Sequence, residues 1–260
     1  MRFDVITLFP ELFAPFLTSG VTRRAYESDL VEIKLWNPRD FADGHYRRVD
    51  DRPFGGGPGM VMLAEPLTLC LESIRADRVA RGTPDAPTVF FSPVGDVLTH
   101  AGVERWATCG SGAVLICGRY EGLDQRFIDT HVDLQISLGD FVLSGGEIAA
   151  MALLDAVARL QPGVLNDEGS HQMDSFNPAL DGLLDCPHYT RPESWRGQSV
   201  PPVLMSGNHA QIERWRREQR LALSQRQRPE LVRAARRAGN LGKSDEAFLS
   251  DLPKSPDVDA

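Results

Sequence analysis

Short apolar segments rich in β-branched residues alternate with helical patterns along the first 165 residues. Segments of this kind are typical of strands that are buried on both faces of a sheet. There are five of them: FDVITLF, VEIKLW, TVFFSP, AVLICG and LQISLG. Helical spacing of apolar residues covers 64–80, 100–108, 123–130 and 147–160. The alternation predicts an α/β domain with a mainly parallel sheet.

The pattern changes after QPGV (Gln161 to Val164). A polar segment rich in turn-forming residues follows and is expected to be a linker or mobile loop. Two helical patterns then begin at Asn208 and Pro229, residues that favour helix starts. The predicted organisation is an α/β domain over 1–165, a mobile linker over 166–176, a small helical domain over 177–240, and a disordered tail over 241–260 that has little to bury.

Composition adds limits on the class of protein. No apolar run approaches the roughly 20 residues of a membrane span, and the N-terminus lacks a signal peptide, so a cytoplasmic protein is expected. The four cysteines contain no C-x-x-C pair, which disfavours a zinc site. The net charge is −8, yet residues 211–237 contain nine Arg and three Glu. Such a stretch is either a solvated helical face or a local surface for phosphates.

Glycine clusters stand at the ends of several predicted strands. They are SPVGD, CGRYEG, SLGD and LSGGE. In an open parallel sheet a ligand binds where the loops after neighbouring strands converge. Glycine would let main-chain groups approach a flat ring such as adenine. Any single cluster is more simply a tight turn or a helix start, but together they favour one pocket.

Common nucleotide and nucleophile motifs fail in this chain. GGGPGM has Met60 where a dinucleotide fingerprint needs glycine. A P-loop ending at Gly242-Lys243-Ser244 would need glycine at the position of Arg237. A hydrolase elbow at Ser144 would need glycine at the position of Val142.

Longer motifs carry a resemblance to a known family. RPFGGGPGM, ICGRYEGLDQR, SLGDFVLSGGE, DAVARLQPGVL, DSF and LLDCPHYTRPE…GQSVPPVLMSGNH occur in that order. The chain resembles bacterial tRNA (guanine-N1)-methyltransferase, the TrmD family, from Met1 to about Arg237. The resemblance implies a SPOUT-type α/β fold with a deep trefoil knot, followed by a small C-terminal helical domain. It also implies a homodimer that uses S-adenosylmethionine to methylate N1 of the guanosine immediately 3′ of the tRNA anticodon, which supports reading-frame maintenance.

The resemblance also implies which residues hold the cofactor. In the family, main-chain groups of the knot loops read the adenine, and the two adjacent glycines complete a wall where a side chain would collide with the ligand. Phe141 and Val94 depart from the commonest family residues, Tyr and Gln. The expected cofactor-binding positions are Pro93, Gly118, Tyr120, Glu121, Leu138, Gly139, Asp140, Phe141, Val142, Leu143, Gly145 and Gly146.

Two residues are expected to act on the guanosine. Its N1 carries a proton at neutral pH, so methylation needs a base and a group that stabilises charge on O6. By resemblance the base is Asp174 and the electrostatic partner is Arg159, both from the other subunit of a composite site. The simpler alternatives are a helix N-cap for Asp174 and an i,i+4 pair with Asp155 for Arg159.

The resemblance extends to tRNA and to a metal ion. Gly59, Arg214, Arg217 and Arg220 are the expected tRNA-binding positions, and Glu121, Asp181 or Asp185 could hold magnesium. The alternatives are another SPOUT-type RNA methyltransferase, a non-catalytic RNA-binding protein, and a small-molecule enzyme that uses a nucleotide. Binding of S-adenosylmethionine and dependence of activity on tRNA separate them.

Overall fold

The computed structural model of the chain describes residues 1–166 and 169–253. Residues 167–168 of the predicted linker and 254–260 of the predicted tail lie outside the described residues. The chain forms two compact units, Met1–Asn166 and Asp167–Ala260. Among the described residues, no helix has the length and apolar character needed to cross a membrane.

The first unit is built on a five-stranded parallel sheet in the order β2-β1-β6-β5-β7. Each of these strands coincides with one of the five predicted segments. Two further short strands form a separate antiparallel hairpin. The strands of this unit are β1 (Arg2–Ile6), β2 (Glu32–Trp36), β3 (Asp50–Asp51), β4 (Val61–Met62), β5 (Thr88–Val97), β6 (Ala113–Ile116) and β7 (Leu134–Ser137).

Helices cover both faces of the sheet, so its central strands are buried on both sides. All residues of β1 and β6 are buried. The helices are α1 (Phe13–Thr18), α2 (Arg23–Glu27), α3 (Ala64–Ala80), α4 (His100–Thr108), α5 (Gln125–His131) and α6 (Glu147–Arg159). Side chains of α6 pack into one core and those of α3 into the other. The predicted α/β class, its parallel sheet and its four helices are confirmed.

The second unit contains a small helical core. Its buried centre consists of Leu183, Leu221, Val232 and Ala235. Asn208 and Pro229 start the two long helices as predicted, and the side chain of Asn208 accepts a hydrogen bond from the Gln211 amide. The elements are β8 (Ser194–Trp195), β9 (Gln198–Ser199), α7 (Pro202–Met205), α8 (His209–Gln227), α9 (Pro229–Arg237) and α10 (Lys243–Asp251).

The prediction of a disordered tail from residue 241 is wrong for its first half, because Lys243–Asp251 forms α10. Phe248 and Leu249 of this helix pack against the core of the second unit. The guanidinium of Arg236 also donates two hydrogen bonds of 2.7 Å to Glu246. Tertiary contacts therefore stabilise a helix that local composition does not favour.

Phe248→Ala should loosen the second unit by removing an aromatic ring that is partly buried. We expect a loss of about 1.5 kcal/mol, because full burial of such a side chain contributes about 1.5–3 kcal/mol. Hydrogen exchange at the protected amides of α8 and α9 should become about tenfold faster. Ser244→Ala on the exposed side of α10 is the control. Equal exchange in both variants would show that α10 does not support this core.

Candidate functional site

Loops at the carboxyl ends of three neighbouring strands enclose a cavity of about 470 Å³. The strands are β6, β5 and β7, which lie side by side in the sheet. The end of β5, the loop after β6 and the loop after β7 all contribute lining residues. In open parallel sheets, ligands bind at this edge, beyond the carboxyl ends of the strands. The volume of the cavity lies within the range of small-molecule sites.

The cavity brings together most of the residues predicted to bind a cofactor. The predicted positions that line it are Pro93, Gly118, Tyr120, Glu121, Leu138, Phe141, Val142, Leu143, Gly145 and Gly146. Gly139 and Asp140 belong to the same loop but do not line the cavity. A second cavity of about 300 Å³, between α4 and β7, contains none of the predicted residues.

Two glycines are required because separate chain segments pass very close together. A Cβ atom on Gly146 would lie 2.8 Å from the Cα of Cys117, and the Gly146 amide donates a hydrogen bond of 3.0 Å to the Gly118 carbonyl. A Cβ on Gly118 would lie 2.6 Å from Cε2 of Phe90. Side chains are thus excluded here by atoms of the protein itself.

Gly145 leaves space for a buried ion pair. A Cβ at this position would overlap with the side chains of Arg119 and Glu147. Arg119 Nε donates a hydrogen bond of 3.1 Å to Glu147 Oε1, and its Nη1 donates one of 3.2 Å to the Ser144 carbonyl. Close packing of protein atoms is thus one reason for glycine at Gly145 and Gly146, and their contact with a ligand stays a prediction.

Sequence reasoning missed the structural role of Arg119 and Glu147. Glu147 is 1% exposed and also accepts a hydrogen bond of 2.9 Å from Thr7 Oγ1. A buried carboxylate is tolerated when a cation and hydrogen-bond donors satisfy it, as here. This pair links the loop after β6 to the start of α6. Arg119 and Glu147 each lie within one of the family motifs, but no local sequence pattern indicates that their side chains form an ion pair.

Gly59 lies beside the same loop. The backbone amide of Glu121 donates a hydrogen bond of 2.9 Å to the Met60 carbonyl, and the Met62 amide donates one of 2.9 Å to the Gly122 carbonyl. Gly59 has φ of +83°, and a Cβ on it would overlap with the Glu121 side chain. The β3–β4 hairpin is therefore attached directly to a loop that lines the cavity.

The two predicted catalytic residues belong to different units. Arg159 lies half-buried in the last turn of α6, in the first unit. Asp174 follows the 3-10 helix Ser170–Met173 in the second unit. The alternative of a helix N-cap at Asp174 is wrong, because Asn177 caps the 3-10 helix Pro178–Leu180 through a hydrogen bond of 2.9 Å from the Ala179 amide.

Only one of the three predicted tRNA-binding arginines is exposed. Arg214 is exposed and pairs with Glu218. Arg217 is held by Asp181 at 2.5 Å and by Asp245 at 3.1 Å. Arg220 is buried, and its Nε lies 3.5 Å from Asp185 Oδ1. Arg217 and Arg220 thus contact acids of the second unit, and their role in binding tRNA stays a prediction.

The acids considered for magnesium are mostly occupied as well. Asp181 binds Arg217, and Asp185 lies against both Arg220 and His188. The pKa of Asp185 is below its ordinary value. Burial acts to raise this pKa, but hydrogen bonds from the Cys186 amide and His188, together with the charge of Arg220, have the larger effect. Within the described ranges, the one potential metal-binding group is Asp185, Cys186 and His188. Thiol and imidazole ligands do not suit Mg²⁺.

Comparison with known proteins agrees with this geometry. The model of the family described as tRNA (Guanine-1)-methyltransferase TrmD matches residues 1–234. A protein of Polaromonas sp. (strain JS666 / ATCC BAA-500), named tRNA (guanine-N(1)-)-methyltransferase, is 82% identical over 100% of both chains. A protein of the same name from Paracidovorax citrulli is 73% identical over 97% of this chain and 98% of its own.

A more distant relative shows the same coverage. The Bordetella pertussis protein, also named tRNA (guanine-N(1)-)-methyltransferase, is 56% identical over 97% of this chain and 98% of its own length. The family model spans the sheet, the cavity loops and most of α9. We conclude that the chain belongs to the tRNA (guanine-1)-methyltransferase TrmD family.

Proposed function

We propose that this chain transfers a methyl group from S-adenosylmethionine to N1 of the guanosine immediately 3′ of the tRNA anticodon, and so supports reading-frame maintenance. The observation that carries the proposal is the cavity formed by loops of three adjacent parallel strands in a chain that matches the family over residues 1–234. Membership of this family implies the use of S-adenosylmethionine.

The cavity is the proposed donor site, lined by ten of the twelve predicted positions, with Gly139 and Asp140 in the same loop. Exposed apolar side chains at its wall, Phe141 and Val142, would be covered by a bound ligand. We also propose that the chain is threaded as a deep trefoil knot. The tight crossing of Gly146 over Cys117 supports this, and so does Gly95, where a Cβ would overlap with the backbone of Gln135.

The acceptor chemistry rests on two side chains. S-adenosylmethionine supplies an electrophilic methyl group with a good leaving group already in place. The Asp174 carboxylate would accept the proton from guanine N1, so that the nitrogen lone pair becomes available for the new N–C bond. The Arg159 guanidinium would stabilise the negative charge that develops on O6. Asp174 then returns the proton to solvent.

We propose a homodimer in which each active site combines the cavity loops of one subunit with Arg159 and Asp174 of the partner subunit. The outer face of α6 favours an interface, because Ile148 on this mostly apolar helix is 56% exposed. Burying such a face against a second copy would remove apolar surface from water. A cytoplasmic location is part of the same proposal.

Exposed arginines of the second unit would contact tRNA phosphates. Among the described residues, Arg226, Arg233 and Arg237 are exposed and make no ion pair. Arg214 is exposed as well, although it pairs with Glu218 on its own helix. Arg233 and Arg237 lie four residues apart on α9, so they share one face of the helix. Unpaired guanidinium groups are the ones that can neutralise phosphates without losing a protein partner.

Arg233→Ala combined with Arg237→Ala should weaken tRNA binding and reduce its salt dependence. Two lost phosphate contacts should lower the slope of log K against log salt by about 2. Filter binding between about 50 and 200 mM salt measures that slope. Arg75→Ala on α3, also exposed and without an ion pair, is the matched control. An unchanged slope in the double variant would assign α9 to a solvated face.

The proposed function is tested by incubating the protein with labelled S-adenosylmethionine and unmodified tRNA transcripts. Methylation at N1 blocks Watson–Crick pairing, so reverse transcription should stop at the modified guanosine. A transcript with adenosine at that position is the control and should remain unlabelled. Label at another nucleotide would indicate a different RNA methyltransferase. Binding of tRNA without binding of S-adenosylmethionine would favour a non-catalytic RNA-binding protein.

A further inference from the structure

The loop at the tip of the β3–β4 hairpin, residues 52–60, carries an aromatic side chain that is fully exposed. Phe54 is 100% exposed, and Tyr46, shortly before the hairpin, is 87% exposed. Burial of a Phe side chain stabilises a fold by about 1.5–3 kcal/mol, and the fully exposed Phe54 does not contribute this free energy. Exposed aromatic side chains can serve as surfaces on which the bases of a nucleic acid stack.

The backbone of this loop is set by glycines and not by packing. Gly55, Gly56 and Gly57 have φ values of +86°, +76° and +122°, which L-residues with a side chain rarely adopt. No heavy atom lies within 4 Å of the Cβ position of any of the three. The glycines therefore shape a projecting loop with open space around it, and Phe54 stands at its start.

The loop is nevertheless fixed relative to the cavity. Its carboxyl end pairs with the loop after β6 through the bonds from Glu121 to Met60 and from Met62 to Gly122, each 2.9 Å. At its amino end, Asp51 pairs with Val61 in the hairpin. Since the loop after β6 lines the cavity, Phe54 projects from the element that is attached directly to the proposed donor site.

Exposed arginines lie between these aromatic residues in the sequence. Arg48 and Arg52 are exposed, and neither makes an ion pair with any residue in the described ranges. Arg47 is different because it pairs with Asp40 at 3.2 Å. Asp51 lies nearby but accepts a hydrogen bond from the Arg52 backbone amide. Aromatic rings beside unpaired cations are the combination that binds single-stranded nucleic acid, by stacking on bases and by contact with phosphates.

We propose that Phe54 stacks on a nucleobase of the tRNA that flanks the methylated guanosine, with Arg52 on the adjacent phosphate. The inference rests on the proposed function. An extruded base needs its neighbours held in place, because leaving the stack costs free energy. Stacking on Phe54 supplies that hold from the element attached to the cavity. Phe54 is thus a substrate-positioning residue and takes no part in proton transfer.

The test uses the full chain and an unmodified tRNA transcript. Phe54→Ala should weaken tRNA affinity about tenfold, within the range for loss of one aromatic–base stack. Phe54→Tyr should stay within about twofold of the wild type, whereas Phe54→Leu should lose as much as Ala because it cannot stack. Affinity for S-adenosylmethionine and thermal stability should not change. Val79→Ala, on an exposed apolar residue of α3, is the control.

A second set of transcripts identifies the stacked base. Each carries an abasic nucleotide on one side of the guanosine. The loss caused by Phe54→Ala should disappear with one of them, because the stacking partner is already absent. Additive losses with both transcripts, wild-type affinity in Phe54→Ala, or wild-type affinity in Phe54→Leu would overturn the inference. A changed sedimentation coefficient in Phe54→Ala would overturn it too, by assigning Phe54 to a contact between subunits.

Failure of this inference is distinguishable from failure of the proposed function. If the wild-type chain methylates the guanosine and all Phe54 variants bind tRNA equally, only the role of Phe54 is lost. If the wild-type chain transfers no methyl group, the proposed function is lost, and the role of Phe54 as a positioning residue is lost with it.

Discussion

Asp174→Asn should slow methyl transfer by at least about 10²-fold, the lower end of what a general base contributes. The amide keeps the size of the carboxylate and an oxygen acceptor, but it cannot take the proton from guanine N1. Affinity for S-adenosylmethionine should be unchanged, because Asp174 is not among the residues that line the cavity. Single-turnover kinetics at saturating tRNA measure the methyl-transfer step apart from binding and product release.

A structural role for Asp174 predicts a different result. Its replacement would then lower thermal stability and leave the rate per folded molecule within about threefold of the wild type, an outcome that would remove Asp174 from the mechanism. Glu72→Gln on α3 is the control for loss of one exposed carboxylate. Asn177, and not Asp174, caps the helix that follows, so loss of that cap would not explain a slower reaction.

The composite site can be tested with the same variant. Mixing Asp174→Asn with a variant that is damaged in the cavity should restore part of the activity, because a heterodimer would contain one intact set of residues. Native mass spectrometry would confirm the exchange of subunits. Exchange without any recovery of activity would show that each site is built within one chain.

Gly146→Val should weaken binding of S-adenosylmethionine by about 10²-fold, the upper range for overpacking of a tight site. The φ and ψ of Gly146 are −79° and −5°, a conformation open to any residue, so backbone strain is not the cause. The cause is space, because even a Cβ would lie 2.8 Å from the Cα of Cys117. The loop after β7 must then move away from the end of β6, and the cavity between them changes shape.

Two glycine variants control for this effect. Gly145→Ala should have a smaller effect, because the overlapping atoms belong to side chains that can rotate. Gly102→Ala should leave binding unchanged, since its new Cβ would have its nearest neighbour at 3.6 Å. Calorimetry gives the affinities, and circular dichroism checks that each variant is folded. Wild-type affinity in Gly146→Val would show that this crossing does not shape the donor site.

The sheet was predictable because its central strands are buried on both faces, which gives segments in which apolar residues dominate. Val114 and Ile116 of β6, for example, face one core while Leu115 faces the other. The short helices α1 and α2 were not predicted, whereas helices α3 to α6 were predictable from the spacing of their apolar residues. The tail was not, since the only large apolar residues of α10 are Phe248 and Leu249, and it depends on partners far away in the sequence.

The arginine-rich helix shows why surface and core are hard to separate from sequence. Arg214, Arg217 and Arg220 look equivalent, at the helical spacing of three residues. Arg217 and Arg220 are drawn inward by Asp181 and Asp185, which lie more than 30 positions earlier in the chain. The position of such acids depends on tertiary structure. The cavity residues were easier to predict, because the resemblance assigned each of them through a long motif.

The crowding around Gly145 and Gly146 divides the cavity into a rigid wall and an adjustable one. The rigid wall consists of main chain around Gly146 and of the Arg119–Glu147 pair beside Gly145, so a larger residue at either glycine must displace protein atoms. The adjustable wall includes Phe141 and Val142, which are mostly exposed and carry little of the core. Selection for altered donors, natural or in the laboratory, therefore has room to act on one side only.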